Sequence, residues 1–264
     1  YIFKLNKNAK WSNGDPVTAD DFVWSWKRIL TASLGSQYPD MLYYLVGAYE
    51  YHNGEIDNFD EVGVKALDSQ TLKVNLKNPT PFFIGLLSHY STWPVHKETV
   101  LKHGDIDDRN GEWTRPGNFV CNGPFQLKTW ELNNKIVVEK NPHYYDASMV
   151  RLNEIHYYPV SNVMTEDRMF RAGQLHLTSS MPTQKCPIYI EEKNPNLKID
   201  PYMGTYFYRI NTENETLSDV RVRKALAYSI DRQLLVDKVT QCGQIPAYSF
   251  TPPGSNGYQP STEI

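Results

Sequence analysis

The sequence predicts a mixed α/β or α+β fold of irregular topology, and three observations support this. Segments with helical period and segments with strand period are interleaved without a regular βαβ alternation. Apolar residues make up 40% of the 264 and charged residues 22%, the balance of a chain that buries a core. No internal repeat or low-complexity tract is present. At this length one large domain and two lobes are both open.

The elements follow in order. Residues 1–5 (Tyr-Ile-Phe-Lys-Leu) read as a strand, and Asn13-Gly14 followed by Asp15-Pro16 is turn chemistry. Thr18 is placed as a helix N-cap, with Asp20 and Asp21 in the first turn where the helix dipole favours negative charge. Phe22, Trp26 and Ile29 then recur at helical spacing, and Val23 and Leu30 widen the stripe. An aromatic-rich segment covers 38–51. Residues 61–67 and 71–76 alternate like paired strands around Asp68-Ser69-Gln70. Pro79 and Pro81 precede the apolar run 82–87, and 103–123 is a polar, Gly-containing excursion. Strands are expected at 125–130, 135–140 and 153–159, and a helix over 163–172 ending at Gly173. Residues 197–202 and 205–210 read as consecutive strands. Two helices follow, one over 219–229 and one capped by Asp231 and running to about Val239. Both ends read as cut: the chain opens inside a strand without Met or targeting signal and stops after the loop-like stretch 251–260.

Charge and composition narrow the function. A net charge of −3 provides no electrostatic reason to expect nucleic acid or an anionic membrane as partner. No apolar run approaches the ~18 residues that cross a bilayer. Aromatic residues are abundant: 18 Tyr, 10 Phe and 6 Trp. Core packing explains most such rings, but a flat body with a polar tip also suits pockets that meet varied ligands. Cys121, Cys186 and Cys242 lie far apart without CxxC spacing, against zinc and thioredoxin-like chemistry. One disulfide plus a free thiol, or three buried thiols, both fit.

Motifs of catalysis are missing: there is no GxSxG, HExxH, P-loop or GxGxxG. The seven His are dispersed, none at i,i+4 with another, so neither a metal nor a cofactor is expected. The acidic run from Asp105 to Glu112 fails as a calcium loop, because the sixth position is Asn110 where Gly is required and the twelfth is Pro116 where a carboxylate is required. Asp20 and Asp21 do not face the same way on a helix, and a capped start explains them without acid–base work. Asn214-Glu215-Thr216 matches a glycosylation sequon, which matters only in a eukaryotic secretory setting.

The run Ala9-Lys10-Trp11-Ser12-Asn13-Gly14-Asp15-Pro16-Val17-Thr18-Ala19-Asp20-Asp21-Phe22 resembles the signature of the family-5 extracytoplasmic solute-binding proteins of ABC importers. Residues 62–68, 122–125, 139–145, 200–202, 219–226 and 246–253 are similar to further family stretches and keep their order over essentially the whole chain. The oligopeptide-binding and murein-peptide-binding branch is the nearest in kind.

The resemblance implies an α/β, periplasmic-binding-protein-like fold of type II with three parts, here a partial set of lobes with mixed sheets. Residues 1–96 would be the small subdomain of the first lobe, 97–203 the central part of lobe I, and 204–264 the beginning of lobe II. The family's C-terminal region, with charged anchors for the peptide termini, has no counterpart. The implied activity is non-enzymatic: a short peptide bound in the cleft as an added strand, lobe closure, and delivery to the membrane permease of an ABC importer, by a monomer in the periplasm or on the extracytoplasmic face of a bacterium.

By position, Tyr38 resembles a ligand-contacting tyrosine of the small subdomain. Tyr202, Tyr206 and Phe207 match an aromatic segment of hinge and cleft wall, of which alternation allows one face to meet ligand. Ser179, Ser180 and Met181 match a cleft loop that reads Asn-Asn-Met in close relatives. Arg209 stands where oligopeptide binders carry a cleft Glu, which should alter the ligands tolerated. Gly204 stands where they carry a disulfide cysteine, so that bridge cannot form. Other readings are a receptor for murein peptide, dipeptide, haem or a nickel complex on the same fold, a peptide or sugar hydrolase, and a fragment without intact binding.

Overall fold

The computed structural model of the chain describes residues 1–255 and 257–261; Asn256, within the expected loop 251–260, and the end of the expected 204–264 segment lie outside the described residues. The chain divides into two compact units, Tyr1–Pro159 and Val160–Ile264.

In the first unit, β1 (Ile2–Lys4), β2 (Val64–Asp68) and β3 (Thr71–Val74) form an antiparallel sheet in the order β1-β3-β2. Alternation turns Leu72 and Val74 inward and Lys73 to solvent. α1 (Ala19–Leu30) shares that core, contributing Ala19, Trp26 and Leu30. The aromatic-rich segment folds as a 3-10 turn, Pro39–Leu42, and α2 (Ala48–His52), which add Leu42, Leu45 and Ala48 to the core. β2 starts at Val64, later than the alternation predicted, because Asn58 accepts a hydrogen bond from the Asp60 amide and seeds a 3-10 turn over Phe59–Glu61. In the run 82–87 a single helical turn, α3 (Phe83–Leu86), buries Phe83 and leaves Phe82 and Ile84 exposed.

Hydrogen bonds and packing explain the Trp11–Asp21 signature. Trp11 closes a turn by donating its amide to the Asp15 carbonyl at 2.8 Å, and Gly14 inside it has φ +96°, a conformation that favours glycine. Asp21 is buried, and its Oδ2 accepts from the Thr18 amide at 2.7 Å, the Thr18 hydroxyl at 3.0 Å and the Trp11 indole at 3.3 Å. The carboxylate thus ties the turn to the start of α1. His96 caps α4 (Lys97–Lys102) by accepting from the Thr99 amide through Nδ1; its Nε2 lies 3.2 Å from Asp15 Oδ2 and its ring meets Trp11 edge-on.

The second sheet is antiparallel, β4 (Phe125–Glu131), β5 (Lys135–Lys140) and β6 (Glu154–Tyr157) in sequential order. Ser12 joins the signature turn to the stretch before β4, donating its amide to the Cys121 carbonyl at 2.7 Å and accepting from the Cys121 amide.

The second unit is helical and irregular. α5 (Val163–Arg171) is capped by Asn162 and ends at Gly173, φ +74°. α6 (Cys186–Glu191), α7 (Val220–Tyr228) and α8 (Arg232–Leu235) follow, and α8 runs on into a π turn, Val236–Thr240. Asp219 and Asp231 cap α7 and α8 through their carboxylates. A Cys186–Cys242 disulfide joins α6 to the segment after the π turn, and Cys121 is the free thiol. The strands expected at 197–202 and 205–210 are a correction: among the described residues neither belongs to a sheet. Alternation decides which face a side chain takes, whereas a strand also needs a partner for its main chain.

Candidate functional site

The residues expected to meet ligand fall in both units, and each unit has its own cluster. In the first, Tyr38 precedes the 3-10 turn Pro39–Leu42 and stands edge-on to His89 (5.0 Å, 67°) and to Tyr90 (5.8 Å, 87°). Hydrogen bonding to Tyr38 raises the Tyr90 phenol above its ordinary value. A cavity of about 270 Å³ opens beside them, walled also by Ile29, Trp93 and Val95, with Arg28 among its lining residues. Arg28 is buried: it donates from Nη2 to the Asp108 carbonyl at 3.1 Å and lies over the Trp113 ring. Burial pushes its guanidinium below the ordinary value against the raising fields of Asp108 and Asp107.

In the second unit, a buried carboxylate positions the expected loop 179–181. Glu166 on α5 accepts from the Ser179 amide at 2.6 Å and from its hydroxyl at 3.1 Å. Ser180 is exposed and Met181 half-buried. Next to Glu166, the buried Asp167 takes the Lys185 ammonium, the Arg171 guanidinium at 3.1 Å and the Tyr189 hydroxyl at 3.2 Å, which ties α5 to α6. Burial pushes the Asp167 carboxyl up, but Lys185, Tyr189 and Arg171 outweigh it and hold the group below its usual range.

The aromatic segment carries no helix or strand and is open. Tyr202 and Tyr206 are each 89% exposed. Gly204 donates its amide back to the Tyr202 carbonyl, and a Cβ there would lie 2.3 Å from Tyr202 Cε1, so any larger residue would require the exposed Tyr202 ring to move. Further on, side chains sort by alternation. Tyr206 meets Tyr208 across 6.0 Å on one side. Phe207 meets Phe250 at 4.9 Å, and the Arg209 guanidinium lies over the Phe207 ring at 5.9 Å. The expected residues Tyr206 on one hand, and Phe207 with Arg209 on the other, therefore face opposite ways. Among the described residues, no main-chain hydrogen bond engages 205–210.

Several neighbours went unnoticed at the level of sequence. Tyr208 was findable from its i,i+2 spacing to Tyr206. Tyr90, Trp93, Phe250 and Glu166 reach the clusters from distant segments and had no local signal. The described residues contain no group of three His, Cys, Asp or Glu suited to a metal, and none of their helices is long and apolar enough to cross a membrane.

Comparison with known proteins agrees with this architecture. The family described as bacterial extracellular solute-binding proteins, family 5 Middle, matches residues 1–264. The periplasmic oligopeptide-binding protein OppA of Salmonella typhimurium is 40% identical over 268 residues, covering 97% of this chain and 47% of that protein. The solved structure of Burkholderia pseudomallei OppA superposes with a TM-score of 0.90 at 37% identity, covering 98% of this chain and 50% of its own. That of the Escherichia coli murein tripeptide binding protein MppA superposes at 0.89 and 34%, covering 99% and 50%. The chain spans about half the length of the curated relatives it matches. The fold is that of the periplasmic-binding-protein type in partial form, the relatives are binding proteins, and the location that goes with the family is extracytoplasmic. The chain belongs to the bacterial extracellular solute-binding proteins of family 5, in the branch of the oligopeptide and murein-peptide binders.

Proposed function

We propose that this chain is ligand-holding machinery of a non-enzymatic receptor that binds short peptides outside the cytoplasm and presents them, as a monomer, to the permease of an ABC importer. The observation that carries the reading is the likeness of nearly the whole chain to solved oligopeptide- and murein-tripeptide-binding proteins at 37% and 34% identity; the segment 205–210, with exposed rings and no main-chain hydrogen bond among the described residues, is where a strand could add. A peptide that adds to such an edge satisfies its main chain whatever its sequence, which suits a receptor of broad taste. The relatives named for oligopeptides and murein tripeptide support the same chemistry.

In this reading residues 1–96, 97–203 and 204–264 serve as small subdomain, centre of lobe I and start of lobe II. Tyr38, Ser179, Ser180, Met181, Tyr202, Tyr206, Phe207 and Arg209 are its ligand-facing set. Because alternate side chains point opposite ways, Tyr206 and Arg209 do different work, one contacting ligand and the other setting the charge around the wall. A second reading, a receptor for one dedicated solute on the same fold, is favoured by Arg209, a cation held only by the Phe207 ring among its described contacts.

Mass spectrometry of the purified protein, native and then denatured, tests the reading. A mixture of co-purified short peptides is the expected result. One defined non-peptide species would overturn it in favour of the dedicated receptor, and turnover of peptides would overturn the non-enzymatic assignment.

A further inference from the structure

We propose that the cavity beside Tyr38 is a binding site for a single aromatic side chain of the ligand, held against the rings of Tyr38, Tyr90 and Trp93. The proposal rests on the peptide-receptor reading and adds to it a side-chain class at one subsite.

Size comes first. At about 270 Å³ the cavity falls just below the ~300 Å³ at which sites for whole small molecules begin, so it suits one side chain and not a peptide. Its walls come next. Tyr90 and Trp93 are each 59% exposed, large rings left in water at the border of a cavity whose remaining apolar wall is Ile29 and Val95. Tyr38 meets Tyr90 nearly perpendicular, an edge-to-face arrangement that leaves ring surface open to a further aromatic partner.

Several polar groups of the wall are already engaged, while Gln37, which also lines it, is exposed. Ser25 accepts from the Val95 amide at 2.9 Å and donates to the Val95 carbonyl at 3.3 Å. The Ser91 hydroxyl donates to His89 Nδ1 at 2.8 Å. A guest that needed buried polar partners would find few and lose its water for little return. Arg28 offers little to a charged guest of either sign, because Asp107 and Asp108 lie close enough to compensate its charge and its Nη2 already donates to the Asp108 carbonyl. Its Nε is sealed from solvent and so out of a guest's reach. An aliphatic guest would fill the space but would forgo the ring–ring attraction.

Titration of the isotopically labelled protein with N-acetyl-tyrosinamide, read at the Trp93 indole N–H by NMR, tests this directly. The expected result is a saturable shift, with binding at least about tenfold tighter than for N-acetyl-leucinamide or N-acetyl-glutamic acid amide. Trp93→Ala and Tyr90→Ala should each weaken it about tenfold. Both rings are mostly exposed, so an unchanged unfolding midpoint verifies that the variants still fold. Ser36→Phe, which puts a ring into the cavity from its own wall, should abolish the shift. Equal binding of the three amides, tightest binding of the glutamic acid amide, or indifference to Trp93→Ala would overturn the proposal. Tri-alanine on the same sample separates the two readings. If it binds while the tyrosine amide does not, the subsite falls and the peptide receptor stands; if only the tyrosine amide binds, the subsite stands and the peptide receptor falls.

Discussion

The two units hold together by different means. Tyr1–Pro159 relies on fully buried large side chains: Trp26, Leu30, Leu42, Leu45 and Phe83 cluster with the inner face of the β1-β3-β2 sheet, and Trp11 is buried in the signature turn. Val160–Ile264 has no sheet among its described residues, and its buried groups there are mainly a disulfide and two carboxylates with their partners. The first unit is stabilised chiefly by removal of apolar surface from water, which is strong and insensitive to pH. The second depends on a cross-link and on charge pairing, which reductant and acid can undo. In the reading proposed above, the packed frame would present Tyr38 at a fixed place, while the segment 205–210 would keep its main chain available for a ligand.

The largest effect is expected in the core of the first unit. Trp26→Ala removes a buried ring and its hydrogen bond to the Thr92 carbonyl at 2.8 Å. It should cost about 3–5 kcal/mol by chemical denaturation, with faster amide exchange in the first unit. Removal of the bridge by a Cys186→Ser/Cys242→Ser double change comes next. Its sequence separation of 56 corresponds to about 4 kcal/mol in the chain-entropy account, lost from the second unit while the first keeps its exchange pattern. Reductant on the unaltered protein should reproduce the effect.

Acid sharpens the contrast further. The Asp167 carboxyl is held below its usual range, so the stability it contributes is present above the unfolded value near ~4 and is lost as pH falls through the lower folded value. Asp167→Asn should therefore lower stability at neutral pH and flatten the acid limb of the second unit's unfolding profile, followed by circular dichroism. The smallest effect is expected on the open face of the second sheet. There Glu154, hydrogen-bonded to His156 and to Lys128, has its carboxyl at about 2. The group is exposed and screened, so Glu154→Gln should move the midpoint only slightly, and high salt should erase the difference.

What could be read from the sequence follows the range of the interactions. The Trp11–Asp21 turn and cap, the β4–β5 hairpin and the starts of α5, α7 and α8 are decided by residues within a few positions of one another, and these were legible. Family membership was legible for the same reason, because the signature is a local structure. The Cys186–Cys242 pairing spans 56 positions, and composition left it open against three free thiols. Glu166 under Ser179, and Tyr90 and Trp93 beside Tyr38, are likewise brought together by the fold. The segment 197–210 was misread because alternating rings state a preference for a face and carry no information on whether a partner strand is present.

The central claim, that an extended ligand adds to the open main chain, is tested most directly by hydrogen exchange over residues 205–210 with and without saturating tri-alanine. The account predicts rapid exchange in the free protein and clear slowing on binding, confined chiefly to that segment and the loop at Ser179. Binding of the peptide with exchange there unchanged would contradict it.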